Sequence, residues 1–162
     1  MPTATYIALA NVTTSSAVSS VTFSSIPATY RDLVVVCNFI PTLNPVTDSF
    51  YIEFNGDTGS NYSYVRMTGN GSAAASATGS GASITGNAIG VMTYQQGNAL
   101  VNIQDYSATD KHKTWLSRAN FGWTSAFAGR WANTNAITSV KILVSGTTFQ
   151  SGATFALYGI VS

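Results

Sequence analysis

Apolar and polar residues alternate with a period of two along almost the whole chain. Phe50, Ile52 and Phe54 alternate with Tyr51 and Glu53. Val101 and Ile103 alternate with Asn102 and Gln104, Val140 and Ile142 with Lys141 and Leu143, and Phe155 and Leu157 with Ala156 and Tyr158. Such alternation sets one group of side chains on each face of a pleated strand. Turn chemistry punctuates it at Asn44-Pro45, Asn55-Gly56-Asp57, Gly69-Asn70-Gly71, Gly97-Asn98, Asn133-Thr134-Asn135 and Ser145-Gly146. About ten strands are predicted, drawn from residues 5–10, 17–24, 31–40, 49–54, 61–68, 87–94, 99–106, 112–121, 126–132, 137–144 and 153–160. Many short strands separated by turns predict an all-β chain, a jelly-roll-like antiparallel β-sandwich. No window carries a helical apolar stripe. Residues 73–82 hold several alanines, but Gly79 and Gly81 interrupt them and no apolar face is present to pack, so a loop or irregular extension is expected there. The low-complexity stretch from Gly69 to Gly90 is longer than a usual hairpin loop, which points to a functional or pinned segment.

The 162 residues fit a single domain, 1–162, with no linker or internal repeat. Charge changes the picture most. Only 8% of residues are charged while 45% are hydrophobic, which excludes a disordered chain and a coiled coil. The net charge is +1. Lys111, Lys113 and Arg118 are the one local group of cations, read as a solvated strand edge. Neither nucleic-acid nor membrane-surface binding is expected, because both need clustered Lys and Arg. Cys37, the lone cysteine, lies in Leu33-Val34-Val35-Val36-Cys37 and reads as a small buried hydrophobe. Met1-Pro2-Thr3-Ala4-Thr5 does not resemble a signal peptide.

Candidate chemistry is sparse. His112, the one histidine, stands between two lysines and reads as a surface residue; Asp105, Ser107 and His112 form a triad in name only, since serine is abundant. Paired carboxylates for glycoside hydrolysis would come from Asp32, Asp48, Glu53, Asp57, Asp105 and Asp110. Asp48 and Asp57 are assigned to turns, Glu53 to the polar face of its strand, and Asp105 is the hardest to dismiss. Asn55 to Asn61 carries oxygen ligands at alternate positions but one carboxylate, so a hairpin turn is preferred to a calcium site. One Cys and one His do not make a zinc site. No enzyme activity, metal or cofactor is expected. Aromatic residues remain: Trp115 and Trp131 are assigned to the core, and Tyr62, Tyr64, Trp123 and Phe127 are the candidate partner-contact residues.

Several motifs occur in a distinctive order. They are Phe23-Ser24-Ser25-Ile26-Pro27-Ala28-Thr29-Tyr30, Phe54-Asn55-Gly56-Asp57, Asp105 to Thr114, Gly129-Arg130-Trp131 to Val140, and Phe155-Ala156-Leu157-Tyr158-Gly159. Together they resemble a family of structural proteins from tailed bacteriophages, especially cyanophages, over nearly the whole chain. The resemblance implies a non-enzymatic virion β-sandwich. It would be a capsid decoration (cement) protein bound to the major capsid protein or other virion proteins, with a homotrimer expected by analogy. A tail or head fibre module contacting a host glycan or protein is the alternative, and a glycan depolymerase a third reading. Residues 69–100 depart most from the family and are where protein-specific contacts are expected.

Overall fold

A computed structural model describes residues 4–42 and 48–161; Met1–Thr3, part of the Asn44-Pro45 turn region (43–47) and Ser162 lie outside the described residues. Twelve strands and no helix are found among the described residues. In chain order they are β1 (Tyr6–Thr13), β2 (Ser20–Phe23), β3 (Asp32–Phe39), β4 (Asp48–Phe54), β5 (Tyr62–Gly69), β6 (Ala74–Gly81), β7 (Ala88–Met92), β8 (Gly97–Gln104), β9 (Lys113–Asn120), β10 (Thr124–Trp131), β11 (Val140–Val144) and β12 (Thr154–Ile160). Every pairing is antiparallel. An eight-stranded sheet runs β1-β12-β3-β8-β9-β10-β5-β6 and a four-stranded sheet β2-β11-β4-β7. The expected jelly-roll-like β-sandwich is the fold observed.

The core lies between the sheets and is aromatic from end to end. Phe39 meets Phe121, Phe149 and Phe50 with ring centroids 4.4, 4.6 and 5.3 Å apart. Further along, Phe54 packs on Trp131 at 5.6 Å and Trp115 at 5.8 Å. Such tilted and edge-to-face pairs add to the burial itself. Cys37 is buried among them, and burial pushes its thiol up to about 12, so it is a core filler rather than a thiolate.

Several expectations are corrected. The stretch expected to be loop contains β6, whose eight residues pair in unbroken register with β5. The turn before it holds the strand in place: the Asn70 side-chain oxygen accepts the Ser72 and Ala73 amides at 3.0 and 2.8 Å, and Gly71 sits at φ +88°. Pairing with a preceding strand thus imposes the extended state on residues with little strand preference of their own. Asp48 opens β4 rather than lying in a turn. Lys113 and Arg118 are not at an edge, since β9 is flanked by β8 and β10. Lys113 is wholly buried, its ammonium donating to the Lys111 and Thr134 carbonyls at 2.8 and 3.1 Å, and burial pulls its pKa down. Glu53 is on its expected strand face but is buried, accepting from Lys141 at 3.3 Å and from the Ser83 hydroxyl at 3.0 Å.

Candidate functional site

The motifs that carry the family resemblance converge on one another. Asn55, in the left-handed region that asparagine tolerates, ties its turn to residues 136–139: its side-chain oxygen accepts the Thr138 and Ser139 amides, and its amide donates to the Ala136 carbonyl at 2.8 Å. Asp57 accepts from the Trp131 indole at 2.7 Å. The Tyr106 hydroxyl donates to the Pro27 carbonyl and accepts the Tyr30 amide, while the Ile137 amide donates to the Tyr106 carbonyl. These hydrogen bonds tie separate segments of the sandwich to one another and occupy the polar groups of Asn55, Asp57 and Tyr106. These residues therefore offer little to a partner.

The aromatic candidates are placed accordingly. Tyr62 is buried; its hydroxyl accepts the Phe54 amide at 3.1 Å and donates to the Asp57 carbonyl at 2.9 Å. Phe127 is also buried, and Tyr64 packs on it at 5.2 Å between ring centroids while half-exposed. Trp123 is half-buried against the small cluster of Ala88, Val91 and Phe127. In the described chain Tyr62 and Phe127 have no surface to offer a partner, because they lie on the inward side of β5 and β10. Trp115 and Trp131 are in the core as expected.

The surface that is offered lies on the opposite side of the same strands. The register defines three rows across β8, β9, β10, β5 and β6. The central row is Asn102–Leu116–Ala128–Val65–Thr78. On one side runs Leu100–Arg118–Ala126–Met67–Ser76, and on the other Gln104–Thr114–Arg130–Ser63–Ser80. Val65, Met67 and Leu116 are 56, 66 and 47% exposed, an unusual state for three apolar neighbours. Because the outward residues of β10 between them are small, two adjoining hollows of about 500 and 660 Å³ open there, Ala128 lining both and Ala126 the smaller. Arg118 and Arg130 flank the apolar centre, no carboxylate stands on these five outward strand faces, and among the described residues neither arginine is in an ion pair. Alternation in β5 showed that two faces exist. It did not show which was inward, since Tyr62 and Tyr64 on one face and Val65 and Met67 on the other are both apolar.

The titratable groups are scattered. Glu53 bonds Lys141 on the four-stranded sheet, whereas Asp105 pairs with Lys111 at 3.4 Å at the end of β8, and its amide donates to Asp32. No group of three or more His, Cys, Asp or Glu side chains positioned to hold a metal is found among the described residues. His112 is exposed beside Lys113. Asp57 directs its oxygens at Trp131, Asn61 and the Gly59 amide rather than at an open ligand position.

No family model matches this sequence, and no curated protein matches it. Among solved structures, the alginate lyase Aly36B is 11% identical with a TM-score of 0.36, over 93% of this chain and 77% of that one. An exo-inulinase from Aspergillus awamori is 10% identical with a TM-score of 0.40, over 97% and 29%. The Ruminococcus gnavus IT-sialidase CBM40 bound to α2,3 sialyllactose is 10% identical with a TM-score of 0.37, over 96% and 93%. At such scores these likenesses assign no function.

Proposed function

We propose that this chain is a non-enzymatic structural protein of a tailed-phage virion, a decoration (cement) subunit that docks on the assembled capsid lattice through the outward face of β5, β8, β9 and β10. The observation that carries the docking face is the exposed Val65, Met67 and Leu116 cluster, held on a regular sheet and flanked by two unpaired arginines. The virion assignment is supported by the sequence resemblance along nearly the whole chain. A rigid sheet face loses little conformational entropy on docking, and each of these side chains gains about 1–2 kcal/mol as its exposed part is covered. Arginines at the rim select an acidic or carbonyl-rich counterpart and set orientation. Binding the assembled lattice alone stabilises it by mass action, about 2.7 kcal/mol per site at a hundredfold excess over the dissociation constant.

Two measurements test this. Quantitative mass spectrometry of purified virions is expected to find this chain in copy numbers comparable to the major capsid protein. A few copies would move it to a tail or fibre, and its absence from virions would end the virion assignment. Separately, Met67→Glu with Leu116→Glu is expected to abolish binding to undecorated capsids while the thermal midpoint stays within a few degrees, because exposed substitutions usually change stability by no more than about 0.5 kcal/mol. Full capsid binding by this variant would exclude the face.

A further inference from the structure

Four strands end the two sheets, and three of them are protected. β2 has four residues. β7 is fully buried along its five residues and is packed beneath β9 and β10. β1 is broken by a bulge between Ala8 and Ala10. The fourth, β6, has none of these devices. It is eight residues long, pairs with β5 without a bulge, has no described strand on its other side, and contains neither charge nor proline. Its residues are exposed or half-exposed throughout. An edge of this kind presents a row of unpaired amides and carbonyls, and soluble proteins ordinarily blunt it.

We infer that the free edge of β6 pairs antiparallel with β6 of a second copy of this chain, making a two-fold dimer with one continuous sheet. The choice of occupant follows from the side chains. In a two-fold strand pair the central position meets itself and each position on one side of it meets the equivalent position on the other side, so a charged residue near the centre would face like charge. No Asp, Glu, Lys or Arg occurs anywhere between Arg66 and Asp105, a span that includes β6 and the segments on either side. An uncharged edge gives a foreign strand nothing electrostatic to recognise, but it is complementary to itself. Ala74, Ala75, Ser76, Ala77, Thr78, Gly79, Ser80 and Gly81 are all small, so two copies reach the usual strand spacing of about 4.8 Å without steric conflict. The axis of such a pair is normal to the sheet and keeps the outward faces on one side. Residues of equal parity then oppose each other, either Thr78 with itself or Ser76 with Thr78.

The pairing is a property of the isolated chain and stands whether or not the chain decorates capsids. Where it does, the dimer sets two Val65–Met67–Leu116 faces side by side, and the second docking event becomes intramolecular. The homotrimer expected by analogy would need β6 to meet a different surface of the next copy, a heterologous contact for which this symmetric edge carries no feature.

Sedimentation equilibrium on the full chain, with no virion present, tests the inference. The wild type is expected to be a dimer. Ser76→Lys with Thr78→Lys sets like charges opposite each other in either register, and is expected to raise the dissociation constant about tenfold or more. Its circular dichroism and thermal midpoint should stay unchanged, because both side chains are exposed. Ser76→Glu with Thr78→Glu is expected to dissociate likewise, and an equimolar mixture of the two variants to recover a dimer. A wild type of any other stoichiometry, a lysine variant that remains dimeric, or a mixture that stays monomeric would each overturn the pairing.

Discussion

Gly129→Ala is expected to destabilise the protein by about 3 kcal/mol, lowering the thermal midpoint by roughly 6–12 °C for a chain of this size. Gly129 lies on β10 directly opposite Trp115 on β9, on the inward face. A Cβ there would stand 2.1 Å from both Cε2 and Cζ2 of the indole. The ring has nowhere to retreat. Trp115 is fully buried, with Phe54 at 5.8 Å and Tyr62 at 6.4 Å between centroids. Its Nε1 also has no hydrogen-bond partner, so the indole is held by packing alone and its position depends on the glycine beneath it. Two controls separate the clash from a general intolerance of alanine. Gly146→Ala meets no atom within 4 Å but sits at φ +70°, and should cost about 1 kcal/mol from backbone strain. Trp115→Leu with Gly129→Ala should cost less than the sum of the two single changes, because the leucine leaves room for the methyl. Strictly additive losses, or a Gly129→Ala protein as stable as the wild type, would refute this account of the β9–β10 contact.

The same device occurs twice more. Phe50 covers Gly90 and Tyr64 covers Gly79, each glycine being the cross-strand partner of its ring. This arrangement shows why the chain was legible in part. Alternation is a local signal, and each of the eleven stretches it marked, of which about ten were expected to be strands, overlaps one. β6 escaped because its small side chains carry no alternation at all; its extended state comes from β5, and Gly79 is small because Tyr64 lies over it. Which face of each strand is inward is likewise decided by distant pairings. Val65 and Tyr64 are adjacent apolar residues, and only the position of the four-stranded sheet sends one outward. Lys113 and Glu53 read as polar surface because charge normally implies solvent. Each is instead buried with partners supplied by other segments: the Lys111 and Thr134 carbonyls for the one, Lys141 and Ser83 for the other. The turn at Asn55-Gly56 was readable because its chemistry is contained in two consecutive residues, whereas its bonds to residues 136–139 were not.

Asp57→Ala is expected to be the second large loss, about 2–3 kcal/mol, and to alter the response to acid. Asp57 accepts three hydrogen bonds: from the Trp131 indole at 2.7 Å, the Asn61 amide at 2.8 Å and the Gly59 backbone at 2.8 Å. Trp131 is buried, so removing the carboxylate leaves its indole N–H without a protein partner, a penalty of about 1–3 kcal/mol. The turn that positions Asn61 and the start of β5 is loosened as well. Partial burial alone would raise the Asp57 pKa, but the three donors outweigh it and hold the carboxyl below its ordinary range. In the interval between its folded value and the unfolded value of about 3.9, the unfolded chain therefore binds the proton more readily. The stability that Asp57 contributes is complete above the unfolded value and is lost as pH falls through the folded one. Thermal midpoints measured from pH 7 downwards should consequently converge, the gap between wild type and Asp57→Ala closing as the solution is acidified. In a Trp131→Phe background, which lacks one of the three donors, the Asp57→Ala change should give a smaller gap that closes in the same direction of pH. A gap independent of pH would show that Asp57 acts through the shape of the turn alone, and that its charge does not hold β5 to β10 through Trp131.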